Sequence, residues 1–219
     1  MKLSRKTVCL HGNRNIYVLT PKNISDEITA TDDQKGYFYL MSNGTGYALL
    51  SKIFALAISL GDNELIYLPL EFAYQKAYEK DFSAFENHYT GVVIFNYCTT
   101  QIDGKDILTV LNNKPIKMET ISRDKLLSDE FPDRWKTRHR LTVKGKGKLL
   151  IMSGNGDIFT SMAQSCENLA EYGDDVEFNK SPPHMHHDWD ENTAKSVGIT
   201  FYYWHHNGGG TTDEQLQSC

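Results

Sequence analysis

The sequence has few cysteines, and none of them forms the paired motif of a metal or redox site. Four are spread through 219 residues with no Cys-x-x-Cys pair. Isolated cysteines are typical of free thiols in a reducing compartment. The first fifteen residues also lack the apolar core of a secretory signal peptide. We therefore expect a cytoplasmic protein or a part of an assembled particle.

Long apolar runs and an excess of positive charge are missing as well. The most apolar window, residues 53–60, is far shorter than the roughly 20 residues that cross a bilayer. We therefore expect no membrane partner. The formal net charge of −5 argues against a general nucleic-acid binder.

No complete catalytic or nucleotide-binding motif is found either. Ser153-Gly-Asn-Gly-Asp157 has the strand–loop–helix setting that can cradle a phosphate. It lacks both the Gly-x-Gly-x-x-Gly pattern and the Lys-Ser/Thr of a P-loop. A tight turn is the interpretation that the residues favour.

What is present is the composition of a globular chain, with 40% hydrophobic and 23% charged residues. Residues 47–60 are apolar nearly all round at helical spacing, which predicts a long buried helix. Residues 158–172 have the pattern of an amphipathic helix, and several short apolar runs predict strands. We expect an α+β fold with a largely antiparallel β-sheet, one long buried helix and one or two amphipathic helices.

Individual elements follow from the same patterns. We predict a hairpin from the strands at 7–11 and 15–20, and a second hairpin from 138–143 and 148–152. Residues 21–34 are polar and predict a loop. The apolar run at 107–111 predicts a strand, and Ser122 is a candidate cap for a short helix at 122–131.

A domain boundary is indicated by the polar, proline-containing stretch at residues 113–133. It would separate an α+β N-terminal part, residues 1–112, from a β-rich C-terminal part, residues 134–219. One continuous domain, with 113–133 as a connection, is the alternative.

The chemistry that stands out is a cluster of histidines and acids between Ser181 and Glu191. Three of the eight histidines and three carboxylates fall within eight residues. Imidazole and carboxylate groups bind divalent transition metals such as Zn, Mn, Ni and Fe. In an extended chain His184 and His186 point to the same side. An exposed polar loop, or a His/Asp pair acting as a general base without metal, are the alternatives.

The spacing His184-x-His186-x4-Glu191-x6-Gly198 resembles the first motif of the cupin superfamily. That resemblance implies a metal inside a β-barrel, held by His184, His186 and Glu191. A further histidine from a later strand would complete the site, and His205 or His206 would supply it here. The chain departs from the cupin pattern because only 21 residues follow Gly198. A long helix at residues 47–60 is also foreign to cupins.

Charge contrast along the chain supports a different function. The basic residues concentrate in one run: Arg134, Lys136, Arg138, Arg140, Lys144, Lys146 and Lys148. The acidic residues concentrate elsewhere: Glu167, Glu171, Asp174, Asp175, Glu177 and the acids at 188–191. Complementary patches on one chain are suited to self-association, although an ordinary solvated hairpin is the alternative for the basic run.

Two functional hypotheses therefore stand side by side. The first is a non-enzymatic assembly or binding protein, a self-associating or particle subunit with a basic hairpin and acidic surfaces. The second is a metal-binding domain or metalloenzyme that uses His184, His186, Glu191 and His205. The first is favoured because it requires no incomplete motif, and it implies a homo-oligomer or a larger protein assembly.

Overall fold

The computed structural model describes residues 1–25, 27–33, 35–70, 85–123, 141–172, 183–187 and 198–203. Most of the predicted helix at 122–131 lies outside these residues. So do Glu191, His205 and His206, and the part of the basic run before residue 141.

Twelve strands form two sheets in the described part of the chain. Their bounds are β1 Lys2–Leu10, β2 Arg14–Pro21, β3 Thr29–Asp33, β4 Phe38–Ser42, β5 Glu64–Pro69, β6 Phe85–Tyr89, β7 Gly91–Asn96, β8 Lys117–Ser122, β9 Thr142–Lys146, β10 Leu149–Gly154, β11 His184–His187 and β12 Ile199–Tyr203. The first sheet has seven strands in the order β8-β1-β2-β5-β7-β10-β9, and the second has five in the order β11-β12-β4-β3-β6. The chain passes from the second sheet to the first between β6 and β7, at Thr90.

The described helices are α1 Gly44–Ile58, α2 Gly104–Asn112 and α3 Gly156–Glu171. Each begins at a side chain that satisfies free backbone amides of the first turn. Asn43 accepts from the Gly46 amide, Asp103 from the amides of Lys105 and Asp106, and Asn155 from the Ile158 amide. Within the described residues, no helix is long and apolar enough to cross a membrane.

Helices α1 and α3 lie between the two sheets, and α2 covers the opposite face of the first sheet. One hydrophobic core joins both helices to the inner faces of both sheets, and a second joins Ile107 and Val110 of α2 to the outer face of the first. Phe54 of α1 is fully buried and stacks on Phe159 of α3 at 6.2 Å and on Phe201 of β12 at 5.5 Å. Because α1 meets protein on nearly every side, its apolar residues extend all round it.

Two strand–cap–helix units pack against each other with related geometry. In one, β4 leads through Asn43 into α1, and in the other, β10 leads through Asn155 into α3. A Cβ at Gly44 would lie 3.1 Å from the carbonyl oxygen of Ala170 near the end of α3. The end of α1 similarly lies beside the start of α3, where a Cβ at Gly156 would lie 3.6 Å from Ile58. The two helices are therefore antiparallel, with a small residue at the start of each.

The predicted fold class is correct at the level of mixed helices and strands, but a largely antiparallel sheet describes it only in part. Both sheets are mixed, because β2 pairs with β5, β7 with β10 and β12 with β4 in parallel. The other seven pairings are antiparallel. Each parallel pair is joined by a long connection that contains a helix: α1 between β2 and β5, α2 between β7 and β10, and all three described helices between β4 and β12.

Two element predictions are wrong. The apolar run at 107–111 belongs to α2, since Asp103 caps a helix whose buried face is Ile107 and Val110. The predicted loop at 21–34 contains β3, whose Thr31 and Asp32 form hydrogen bonds to Asn87 on β6. Both sheets also combine strands from residues 1–112 and from residues 134–219.

Candidate functional site

The described histidine pair lies on β11, at the edge of the five-stranded sheet. β11 pairs antiparallel with β12, so that His184 lies opposite Tyr202 and His186 opposite Thr200. Met185 packs against the hydrophobic core and His187 is buried, whereas His186 is exposed. The alternation of a strand therefore turns His184 and His186 to the outer face of the sheet.

The two imidazoles lie side by side. Their ring centroids are 4.9 Å apart, with the ring planes at 80°. His184 stacks on the Tyr202 ring at 5.7 Å, and Nδ1 of His186 lies 3.0 Å from the Thr200 hydroxyl oxygen. Both rings are thus oriented by β12, which leaves Nε2 of His186 as the nitrogen that a ligand would contact.

The protonation of His186 suits a metal ligand. Partial burial and the neighbouring His184 lower the pKa of His186 below its usual value of 6.5. The ring is therefore neutral at pH 7, the form in which imidazole binds a metal.

His187 has a different role. It is 4% exposed, and its ring lies 4.6 Å from that of Phe201. Burial, helped by His186, lowers the pKa of His187 to about 3. His187 is therefore a neutral residue of the core, and Asp188, its neighbour in a His/Asp pair, lies outside the described residues.

The structure brings together two of the four predicted ligands. Glu191 and His205 lie outside the described residues, so their distance from His184 and His186 stays a prediction. Within the residues that the structure does describe, no group of three or more His, Cys, Asp or Glu side chains could hold a metal. The described geometry supplies two imidazole ligands.

The described part of the basic run forms the predicted hairpin. β9 and β10 pair antiparallel, with Lys146 opposite Leu149 and a turn at Gly147 and Lys148. Lys144 and Lys146 are exposed on β9, which is an edge strand of the seven-stranded sheet. The glycine loop after β10 ends in the Asn155 cap, which satisfies an amide that a phosphate would otherwise bind.

The opposite edge of that sheet was missed by sequence reasoning. β8 lies within the stretch predicted to be a connection, yet it pairs with β1 from Lys2 to Thr7. Ile116 is 67% exposed and Met118 is 61% exposed. The apolar residues at alternating positions 116 and 118 were the available signal, although two residues are too few to predict a strand.

A buried polar cluster joining the two sheets was missed as well. The Asp32 carboxylate, 8% exposed, accepts hydrogen bonds from the Asn87 amide at 3.1 Å and from the Tyr89 hydroxyl at 2.6 Å. Burial, followed by the bond to Asp32 and its charge, raises the pKa of Tyr89 well above its usual value. The Tyr89 hydroxyl also lies directly against Gly145 of β9. Through Tyr89, this cluster of the second sheet contacts the first sheet at Gly145.

Comparison with known proteins gives no relative. No protein family, no curated protein and no solved structure matches the chain. A function for it is therefore argued from its own geometry.

Proposed function

We propose that this chain is a non-enzymatic binding protein that associates with further copies of itself through the edge of the seven-stranded sheet at β8. The observation that supports this is an exposed edge strand that carries the exposed Met118 and directly follows the exposed Ile116. In the described residues, β1 is the only strand that pairs with β8. An edge strand of this kind is a template for pairing with another chain.

The two edges of this sheet differ in charge. β9 presents the exposed Lys144 and Lys146, and lysines on an edge discourage pairing. On β8 the charges compensate, because the Lys117 ammonium lies 2.8 Å from the Glu119 carboxylate. β8 therefore lacks the like-charge repulsion that protects β9.

The free cysteines fit the same proposal. Cys9, Cys98 and Cys166 are free thiols in the structure. We infer that the chain works in the cytoplasm or as part of an assembled particle, with a second copy as its first partner.

Light scattering on the purified chain over a concentration series tests this proposal. We expect an oligomer that Met118→Lys dissociates, because a charge replaces an exposed apolar contact at the edge. Tyr37→Lys is the matched control, since Tyr37 is also exposed, at 53%, but lies away from β8. Equal effects of the two substitutions, or a monomer at every concentration, would contradict the proposal.

The second candidate function is binding of a divalent transition metal such as Zn, Ni, Mn or Fe. The observation that favours it is the 4.9 Å separation of the His184 and His186 rings on one face of β11. Neutral imidazoles are preferred ligands of Zn and Ni. Glu191 and His205 are proposed as the additional ligands.

Calorimetric titration with Zn²⁺ and Ni²⁺ tests the metal proposal. We expect His186→Ala to abolish binding near neutral pH, whereas His11→Ala, a change at an exposed histidine of the β1–β2 turn, leaves it intact. Binding weakens on acidification, because metal binding requires deprotonated ligands. Equal binding by both variants would reject the site.

A further inference from the structure

In β8 the backbone amides and carbonyls of the even-numbered residues point away from β1. Met1 and Arg123 exchange both backbone hydrogen bonds, at 2.9 and 3.1 Å. In an antiparallel ladder such pairs recur at every second residue. The amides and carbonyls of Glu119 and Ile121 therefore point to β1, and those of Met118 and Thr120 point away from the sheet.

We propose that two copies of the chain pair β8 against β8, antiparallel, across a two-fold axis at Met118. This inference rests on the proposed self-association and specifies its geometry. Met118 of each copy exchanges two backbone hydrogen bonds with Met118 of the other, and the two seven-stranded sheets become one. A two-fold interface of this kind closes on itself and gives a dimer.

Charge complementarity selects this register. An axis at Met118 places Lys117 directly opposite Glu119 of the second copy, and does so twice. Directly opposed side chains in an antiparallel pair lie about 4.5–5.5 Å apart at Cβ, and opposite charges there are stabilising.

The neighbouring registers are unfavourable. An axis at Glu119 places two carboxylates opposite each other. An axis at Thr120 places Lys117 opposite Arg123 of the second copy. An axis between two residues places a residue whose amide and carbonyl point outwards opposite one whose amide and carbonyl point to β1. The backbone hydrogen bonds between the two copies then cannot form.

The exposed apolar residues fit the same register. Met118 lies opposite Lys6 and so shares the sheet face of Val8, the side on which α2 packs. Across the axis Met118 contacts Met118 of the second copy. The Ile116 amide donates to the Thr7 carbonyl oxygen at 2.8 Å, so the ladder between the copies begins at β8 itself. The flexible methionine side chains adapt to one another and cover the join on this face.

Charge variants test the register. Lys117→Glu and Glu119→Lys each replace two attractive pairs with two repulsive ones, so we expect each to raise the dimer dissociation constant about tenfold or more. In an equimolar mixture of the two variants, residues 117 and 119 of opposite charge face each other again. We therefore expect a heterodimer, detected by sedimentation velocity. Lys52→Glu makes the same change in charge on the exposed face of α1, away from β8, and should leave the wild-type dimer unchanged.

The outcomes separate the register from self-association itself. A monomeric wild-type chain rejects both. A wild-type dimer that is unaffected by Lys117→Glu, or single variants that do not recombine, rejects the register and leaves self-association standing.

A cysteine variant provides a second measurement, because Glu119 also lies 3.3 Å from Arg5 and its replacement alters the fold locally. In a hydrogen-bonded antiparallel pair the Cα atoms are about 5.5 Å apart, within the range of a disulfide. Met118→Cys should therefore form a covalent dimer on mild oxidation, above the background that the wild type shows from the exposed Cys98. A dimeric Met118→Cys chain that does not cross-link overturns the register.

Discussion

The contact between Gly145 and Tyr89 supplies a sharp test of how the two sheets are joined. A Cβ at Gly145 would overlap the Tyr89 hydroxyl oxygen and lie 3.0 Å from its Cζ atom. Gly145→Ala therefore forces β9 or the tyrosine to shift, at a cost of about 1–3 kcal/mol. Tyr89→Phe removes a hydrogen bond to the buried Asp32 carboxylate, at a cost of about 1.5–3 kcal/mol.

The double variant distinguishes this contact from general destabilisation. Removing the hydroxyl relieves the overlap and leaves the contacts with the ring atoms Cζ and Cε1, at 3.0 and 3.1 Å. The double variant should therefore lose less stability than the sum of the singles. We expect a coupling energy of about 1 kcal/mol or more, measured by urea unfolding of all four proteins. Each kcal/mol corresponds to about 2–4 °C in melting temperature for a chain of this size.

Gly104→Ala is the matched control, because a Cβ there would meet Ile151 at an ordinary 3.7 Å. It should be neutral or slightly stabilising. Strict additivity of Gly145→Ala and Tyr89→Phe, or a Gly145→Ala chain as stable as the wild type, would show that the two sheets are not joined through this contact.

Three further predictions concern the buried ion pair, the core and alkaline stability. Burial raises the pKa of Glu64, but hydrogen bonds from Arg123, both 2.6 Å long, and from the Gly61 amide outweigh it, so the pKa lies below its usual value. Arg123→Ala should lower the free energy of unfolding by about 2–4 kcal/mol at pH 7. In urea unfolding at decreasing pH, the difference in stability between this variant and the wild type should disappear as Glu64 becomes protonated below its unfolded pKa of about 4.3. Phe54→Ala removes a fully buried ring between α1, α3 and β12 and should cost about 3–5 kcal/mol by chemical denaturation. The pKa of Tyr89 is raised in the folded chain, so the stability that its hydroxyl contributes is fully present below the unfolded pKa of about 10 and is lost as the pH rises above it. The difference in unfolding free energy between the wild type and Tyr89→Phe should therefore shrink at alkaline pH.

Local sequence patterns predicted the elements that are determined by residues close together in the sequence. The apolar residues at 47–60 indicated a long buried helix, and α1 occupies that position with most of its residues buried. The alternation of a strand placed His184 and His186 on one side, and their rings lie 4.9 Å apart. Both inferences depend on side-chain periodicity alone.

The errors arose where partners are distant in the chain. Thr31 and Asp32 are polar and suggested a loop, because their hydrogen bonds to Asn87 are visible only once β6 is in place. The five-residue run at 107–111 was too short to separate a strand from a helix. Asp103, with Asp106 three residues later, is a helix-start signal that favours a helix over a strand for this run. Mixed sheets could not be anticipated, because each parallel pair joins strands that are separated in the sequence by a helix and by other strands.

The mass of the chain in solution tests the central proposal most directly. The proposed interface predicts twice the chain mass of 25.0 kDa by light scattering at high concentration. Thr120→Pro should return the mass to that of one chain, because proline removes an outward-facing amide of β8 while the bonds of the odd-numbered residues to β1 remain. A wild-type mass of 25.0 kDa at every concentration, or a Thr120→Pro chain as dimeric as the wild type, would contradict the account.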